Sequence, residues 1–213
     1  MSLPDLSTRL IAFSGEKCVA EGNPEQVVTY LKSLIEKQPE SQLLVLNAVT
    51  SRIIELDFRD SPATILANQF RPAEEAAVAP ASIGNSVEVQ KRGRGRPKLG
   101  VVSREVTLMP RHWDWLSNQT GGASVALRRL VEQARHSNEG KDKRRAAQNS
   151  AYRFMTVLAG DAPGYEEAIR SLYADDMQGL LKNIASWPPD VAIHAELLAR
   201  MAITGDKVKP ADH

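Results

Sequence analysis

The spacing of apolar and polar residues divides the chain into stretches of different period. Arg9-Leu10-Ile11-Ala12-Phe13 reads as a strand, Ser14-Gly15-Glu16-Lys17 as a turn, and Cys18-Val19-Ala20 as a returning strand. Asn23 then caps a helix with Pro24 at its first position, and Val27, Val28, Leu31, Leu34 and Ile35 recur at helical spacing. Pro39 ends it. Leu43-Leu44-Val45-Leu46 has the composition of a buried strand. Ile53, Ile54, Leu56 and Phe58 alternate around Glu55 and Asp57, which predicts a hairpin partner for that strand. Ala63 to Phe70 predicts a closing helix. Residues 1–70 therefore read as a small ββαββ domain.

The pattern resumes after a stretch without periodicity. Val101 to Leu108 is β-rich, with Val102, Val106 and Leu108 alternating around Arg104. Pro110 opens a helix with Trp113 and Leu116 on one side, and His112 beside them. Gly121-Gly122 breaks the chain, and Ser124 caps a second helix with Leu127, Leu130, Val131 and Ala134 as its apolar face. Lys141 to Arg145 is a charged helix entry, followed by Ala147, Ala151, Phe154, Met155 and Leu158. Further helices are predicted around Ala168–Tyr173 and Met177–Ile184, and from Asp190 as a cap through Met201. The fold class expected is α+β: residues 1–70, a flexible linker over 71–90, a basic arm over 91–100, a strand and two helices over 101–137, a helical bundle over 138–205, and a tail over 206–213.

Charge changes this picture. The chain of 213 residues has a formal net charge of only +1, with 27 Lys and Arg against 26 Asp and Glu. Residues 1–86 hold 7 basic and 11 acidic side chains, residues 87–145 hold 14 and 6, and residues 146–213 hold 6 and 9. A basic centre between acidic ends points to a polyanionic partner for the centre, and leaves the ends to protein partners. Hydrophobic residues make up 42%, enough for a packed core. No apolar run reaches the roughly 18–20 residues of a membrane span. The N-terminus lacks the basic start and apolar stretch of a signal peptide. These features predict a cytoplasmic protein with no membrane association.

The linker, rich in Ala, Pro and Ser, leads into Lys91-Arg92-Gly93-Arg94-Gly95-Arg96-Pro97-Lys98, five cations in eight residues with no acid. Its core, Arg94-Gly95-Arg96-Pro97, resembles an AT-hook. The minor groove is about 6 Å wide, and narrower in A-tracts. Gly95 lets the backbone approach the groove floor, and Arg94 and Arg96 extend along it. Pro97 keeps Arg96 out of helical conformation. Lys91, Arg92 and Lys98 then face flanking phosphates. The guanine amino group would obstruct this fit, so A·T-rich duplex is the expected partner.

The strand and two helices that follow resemble a ribbon-helix-helix DNA-binding module, on Val106-Thr107-Leu108, Trp113, Leu116, Gly122 to Ser124 and Leu127. That resemblance implies a homodimer paired through residues 101–108. It carries Ser103, Glu105 and Thr107 into the major groove; Glu105 is an acid where the family commonly has polar or basic residues, although a glutamate can accept from cytosine N4. It also places the start of the second helix, near Ala123, Ser124 and Val125, against a phosphate. Across nearly its whole length the chain is similar to a bacterial family known as domain of unknown function 2239. The residues that carry this are Arg94 to Val102, Arg104 to Leu108, Pro110 to Trp113, Gly121 to Ser124, Ala151 to Met155 and Ala159 to Asp161. The similarity implies a bacterial cytoplasmic setting and brings no activity.

The leading function is a DNA-binding transcriptional regulator or nucleoid-associated protein. The alternative is an interaction or scaffold protein whose basic run binds RNA or no nucleic acid. Catalysis is not expected. The four histidines (112, 136, 194 and 213) are scattered, and no nucleophile–base, phosphate-loop or metal pattern occurs. Cys18 reads as a small strand hydrophobe and His194 as a structural residue, so no cofactor or metal is implied.

Overall fold

The computed structural model describes residues 7–70 and 104–205. The chain divides into two compact units, one formed by Met1–Ala73 with Glu139–His213, the other by Glu74–Asn138.

In the first unit, β1 (Leu10–Ser14) and β2 (Lys17–Gly22) form an antiparallel hairpin. Its loop is Gly15-Glu16, with Gly15 at φ +59°, a conformation that glycine adopts without steric cost. Helix α1 (Pro24–Lys37) starts where the sequence predicts: the Asn23 side chain accepts from the Gln26 N–H at 2.9 Å, and Pro24 occupies the first turn. Strand β3 (Leu43–Asn47) pairs antiparallel with the other edge of β1, giving the order β2-β1-β3. Helix α2 (Pro62–Gln69) follows, capped by Ser61.

The predicted fourth strand is not formed. Only an isolated bridge, Leu46 to Ile53, survives of the expected hairpin, next to an Ile54 N–H that donates to the Val45 carbonyl at 2.9 Å. The alternation has another cause: Ile54, Leu56 and Phe58, two residues apart, pack against the core beside α1. Period two here reports burial of one face of an extended segment, without a ladder.

Strand β1 is buried on both faces. Leu10 and Ala12 join Val27, Val28, Leu31, Val45, Ile65 and Phe70 on the side of α1 and α2. Ile11 and Phe13 join a second cluster with Leu46, Phe154, Met155, Leu172, Leu180, Val191 and Leu198. Leu46 comes from β3, and the other partners from α4 (Gly122–Ala159), α5 (Tyr165–Tyr173), α6 (Met177–Ile184) and α7 (Pro189–Ile203). Described residues of two segments that the sequence pattern sets apart, 7–70 and 138–205, thus pack together in this second cluster. The short C-terminal helices bury their apolar faces against the sheet as well as each other.

Polar contacts fix this arrangement. The Ser150 hydroxyl donates to the Val49 carbonyl at 2.7 Å and lies 2.8 Å from the Ser51 hydroxyl, both serines being buried. Arg153 donates through Nε and Nη2 to the Thr50 carbonyl, at 3.1 and 2.6 Å. Asp190, expected as the cap of the last helix, lies inside its first turn instead, because Pro188 stands at the cap position. Its carboxylate accepts the Cys18 N–H at 2.8 Å. No helix among the described residues is long and apolar enough to cross a membrane.

Candidate nucleic-acid interface

The second unit is built from two helices and the chain that leads into them. Arg104 to Met109 carries no strand, and no second strand lies beside it, so the described part of the predicted 101–108 strand is unpaired. Helix α3 (Pro110–Ser117) begins at Pro110, as the sequence predicts, with Met109 at the cap position. Side chains close its C-terminal end: Ser117 donates to the Trp113 carbonyl at 2.8 Å, and Asn118 to the Asp114 carbonyl at 3.0 Å. Gly121, at φ +84°, makes the break before α4, and a Cβ there would approach the Val125 side chain to 3.1 Å.

Helix α4 differs from expectation in two ways. It starts at Gly122, two residues before the predicted Ser124 cap, so Ser124 is an exposed first-turn residue. The backbone N–H groups of the first turn still lack intrahelical carbonyl partners, as at every helix start. It also runs unbroken for 38 residues, through Gly140 and the charged stretch read as a fresh helix entry. One glycine among strong helix formers weakens a helix without ending it.

Few apolar residues of this unit are buried. Among its described residues only Leu116 and Ala126 are, at 3% and 1% exposure. Val106, Trp115 and Val131 remain 54%, 50% and 62% exposed, and Met109, Trp113, Val125 and Leu130 are also exposed. The predicted apolar face of the second helix is therefore mostly open: Leu127 is half-buried, and Ala134 is exposed. Leu108, His112, Trp115, Leu116, Leu127 and Leu130 line a small cleft of about 260 Å³. Among the described residues of this unit, exposed large apolar side chains thus outnumber buried ones.

Among the predicted contact residues, Glu105, Thr107 and Ser124 are solvent-exposed. Arg104, Arg111, Arg128 and Arg129 are exposed cations of the same unit, while Arg135 pairs with Glu132 at 3.7 Å. Lys91, Arg92, Arg94, Gly95, Arg96, Pro97, Lys98 and Ser103 lie outside the described residues. Trp115 was not singled out from the sequence. Its spacing from Leu108, His112 and Leu116 carries the signal, once these residues are read as one apolar surface continuing across Pro110.

Neither residue with marked chemistry in the first unit is poised to react. Burial pushes the Cys18 thiol up to about 11, helped by the carboxylates of Glu21 and Asp190, so it stays protonated at neutral pH. His194 is buried against the rings of Phe154 and Phe13, at centroid distances of 4.6 and 6.4 Å, and its Nε2 has no hydrogen-bond partner. Among the described residues, no group of three or more His, Cys, Asp and Glu is placed to hold a metal ion.

The fold and this surface define a mixed α+β protein: a three-stranded antiparallel sheet packed between helices, and a two-helix unit with exposed apolar and cationic side chains. The chain belongs to the family described as uncharacterized protein conserved in bacteria (DUF2239), whose family model matches residues 9–199. No curated protein and no solved structure matches it.

Proposed function

We propose that this protein is a dimeric DNA-binding regulator or nucleoid-associated protein. The basic arm, Lys91 to Lys98, reads the minor groove of A·T-rich duplex. Residues 101–108 pair with those of a second copy and present Ser103, Glu105 and Thr107 to the major groove. The observation that carries the reading is the segregation of charge: 14 basic side chains against 6 acidic in residues 87–145, between two acidic segments. The open apolar side chains of the two-helix unit support a second copy as partner, since unpaired extended chain and uncovered helix faces are both satisfied by dimerisation. Linking an arm to each half of a dimer raises local concentration, and hence avidity, without new contacts.

Fluorescence anisotropy against A·T-rich and G·C-rich duplexes at two salt concentrations tests this. Five cations per arm give a log–log salt slope of about −4.5, at about −0.9 for each phosphate neutralised. Arg94→Ala with Arg96→Ala is expected to weaken binding to the A·T-rich duplex and to flatten the slope. Unchanged affinity in the double variant would remove the arm from the mechanism. Preference for single-stranded RNA over either duplex would overturn the assignment as a whole.

A further inference from the structure

The first unit contains a cavity that DNA binding leaves unused. It measures about 570 Å³, within the roughly 300–1,000 Å³ of small-molecule sites. Its walls are the turn after β3, one side of α4, and the C-terminal end of α7. Val49, Ala147, Leu198, Met201 and Ile203 make most of that lining apolar. Two cations of α4, Lys143 and Arg144, also line it. Apolar walls with two adjacent cations are complementary to a molecule that is hydrocarbon at one end and anionic at the other.

The state of the two cations bears on an occupant of that kind. Lys143 pairs with Glu139 at 2.5 Å and Arg144 with Asp175, and all four side chains are substantially exposed. Exposed pairs of this sort contribute little, so an incoming carboxylate can displace the resident partner with small loss. Gly140 is a further lining residue. It lies in the interior of α4, where glycine is the poorest helix former after proline. A Cβ at this position would meet no heavy atom within 4 Å. A larger side chain can therefore be introduced there without displacing a neighbour.

We propose that this cavity binds an amphipathic anion, a medium-length hydrocarbon chain ending in a carboxylate. The chain lies against Leu198, Met201 and Ile203, and the carboxylate is held by Lys143 and Arg144. Isothermal titration of the full chain with dodecanoate, below its micelle concentration, is the direct test, with dodecyltrimethylammonium as the probe of opposite charge. The expected result is saturable binding of one dodecanoate per chain and none of the cation. Lys143→Gln with Arg144→Gln weakens it at least tenfold. Gly140→Leu fills the cavity and abolishes binding while circular dichroism shows the helices retained. Ala146→Leu, at an exposed lining position, is a second filling variant. Absence of dodecanoate binding, equal binding of the cationic amphiphile, or binding that survives both filling variants would each overturn the proposal.

Discussion

His194 shows what one side chain contributes when it is buried as a neutral ring. It sits between Phe13 and Phe154, so removal from water is the whole cause of a pKa lowered from 6.5 to about 4. The unfolded chain takes up this proton more readily than the folded one. The His194 share of stability is therefore full above about pH 6.5, falls as the pH drops from there toward 4, and changes no further below. The loss is about 3 kcal/mol. Urea denaturation across this range is expected to show the slope in the natural chain. His194→Phe should lack its share of it. The sequence shows only that His194 stands apart from the other histidines. Its contacts were not legible, because Phe13 and Phe154 lie far from it along the chain.

Element boundaries were legible where local chemistry sets them. Asn23-Pro24 and Pro110 start α1 and α3 because a fixed φ, and at Asn23 a cap acceptor as well, act within a few residues. The start of α4 differs from the Ser124 cap that the sequence predicts because the helix begins at Gly122, directly after the left-handed Gly121. Its continuity was missed because a glycine and a run of charges look like an interruption when counted locally. The strand expected at residues 53–58 failed for a different reason, since alternation specifies a buried face and says nothing of a pairing partner. The link between α7 and β2 was equally invisible. Asp190→Ala is expected to leave the Cys18 N–H without its acceptor and to cost about 1.5–3 kcal/mol in chemical denaturation, the range for a hydrogen bond to a charged group.

At the scale of the whole molecule, the α+β class was legible, and so were most of the elements that build it. The assembly was not: Phe13 of the first strand meets Phe154 of α4, and no periodicity records which apolar face meets which. In the proposed interface, the sequence singled out Glu105, Thr107 and Ser124, while the exposed Trp115 emerges only from the structure. The two units have separate buried residues, which gives the proposed dimer a selective test. Val106→Glu, at an exposed position of the two-helix unit, is expected to shift sedimentation from dimer to monomer at micromolar concentration. The far-UV spectrum should remain that of a folded chain. A natural chain that sediments as a monomer would remove the pairing through residues 101–108.

The double-sided burial of β1 has a consequence for how the chain is made. One face of the strand is satisfied by α1 and α2, encoded within the first 70 residues. The other face waits for helices encoded after residue 138. During synthesis, at about 5–20 residues per second, Ile11, Phe13 and Leu46 emerge several seconds before Phe154 and Leu198 can cover them. For that interval the nascent chain presents a half-covered sheet, which makes it a candidate for chaperone capture. Closing the core also requires a loop of about a hundred residues, a slow step compared with forming the local hairpin.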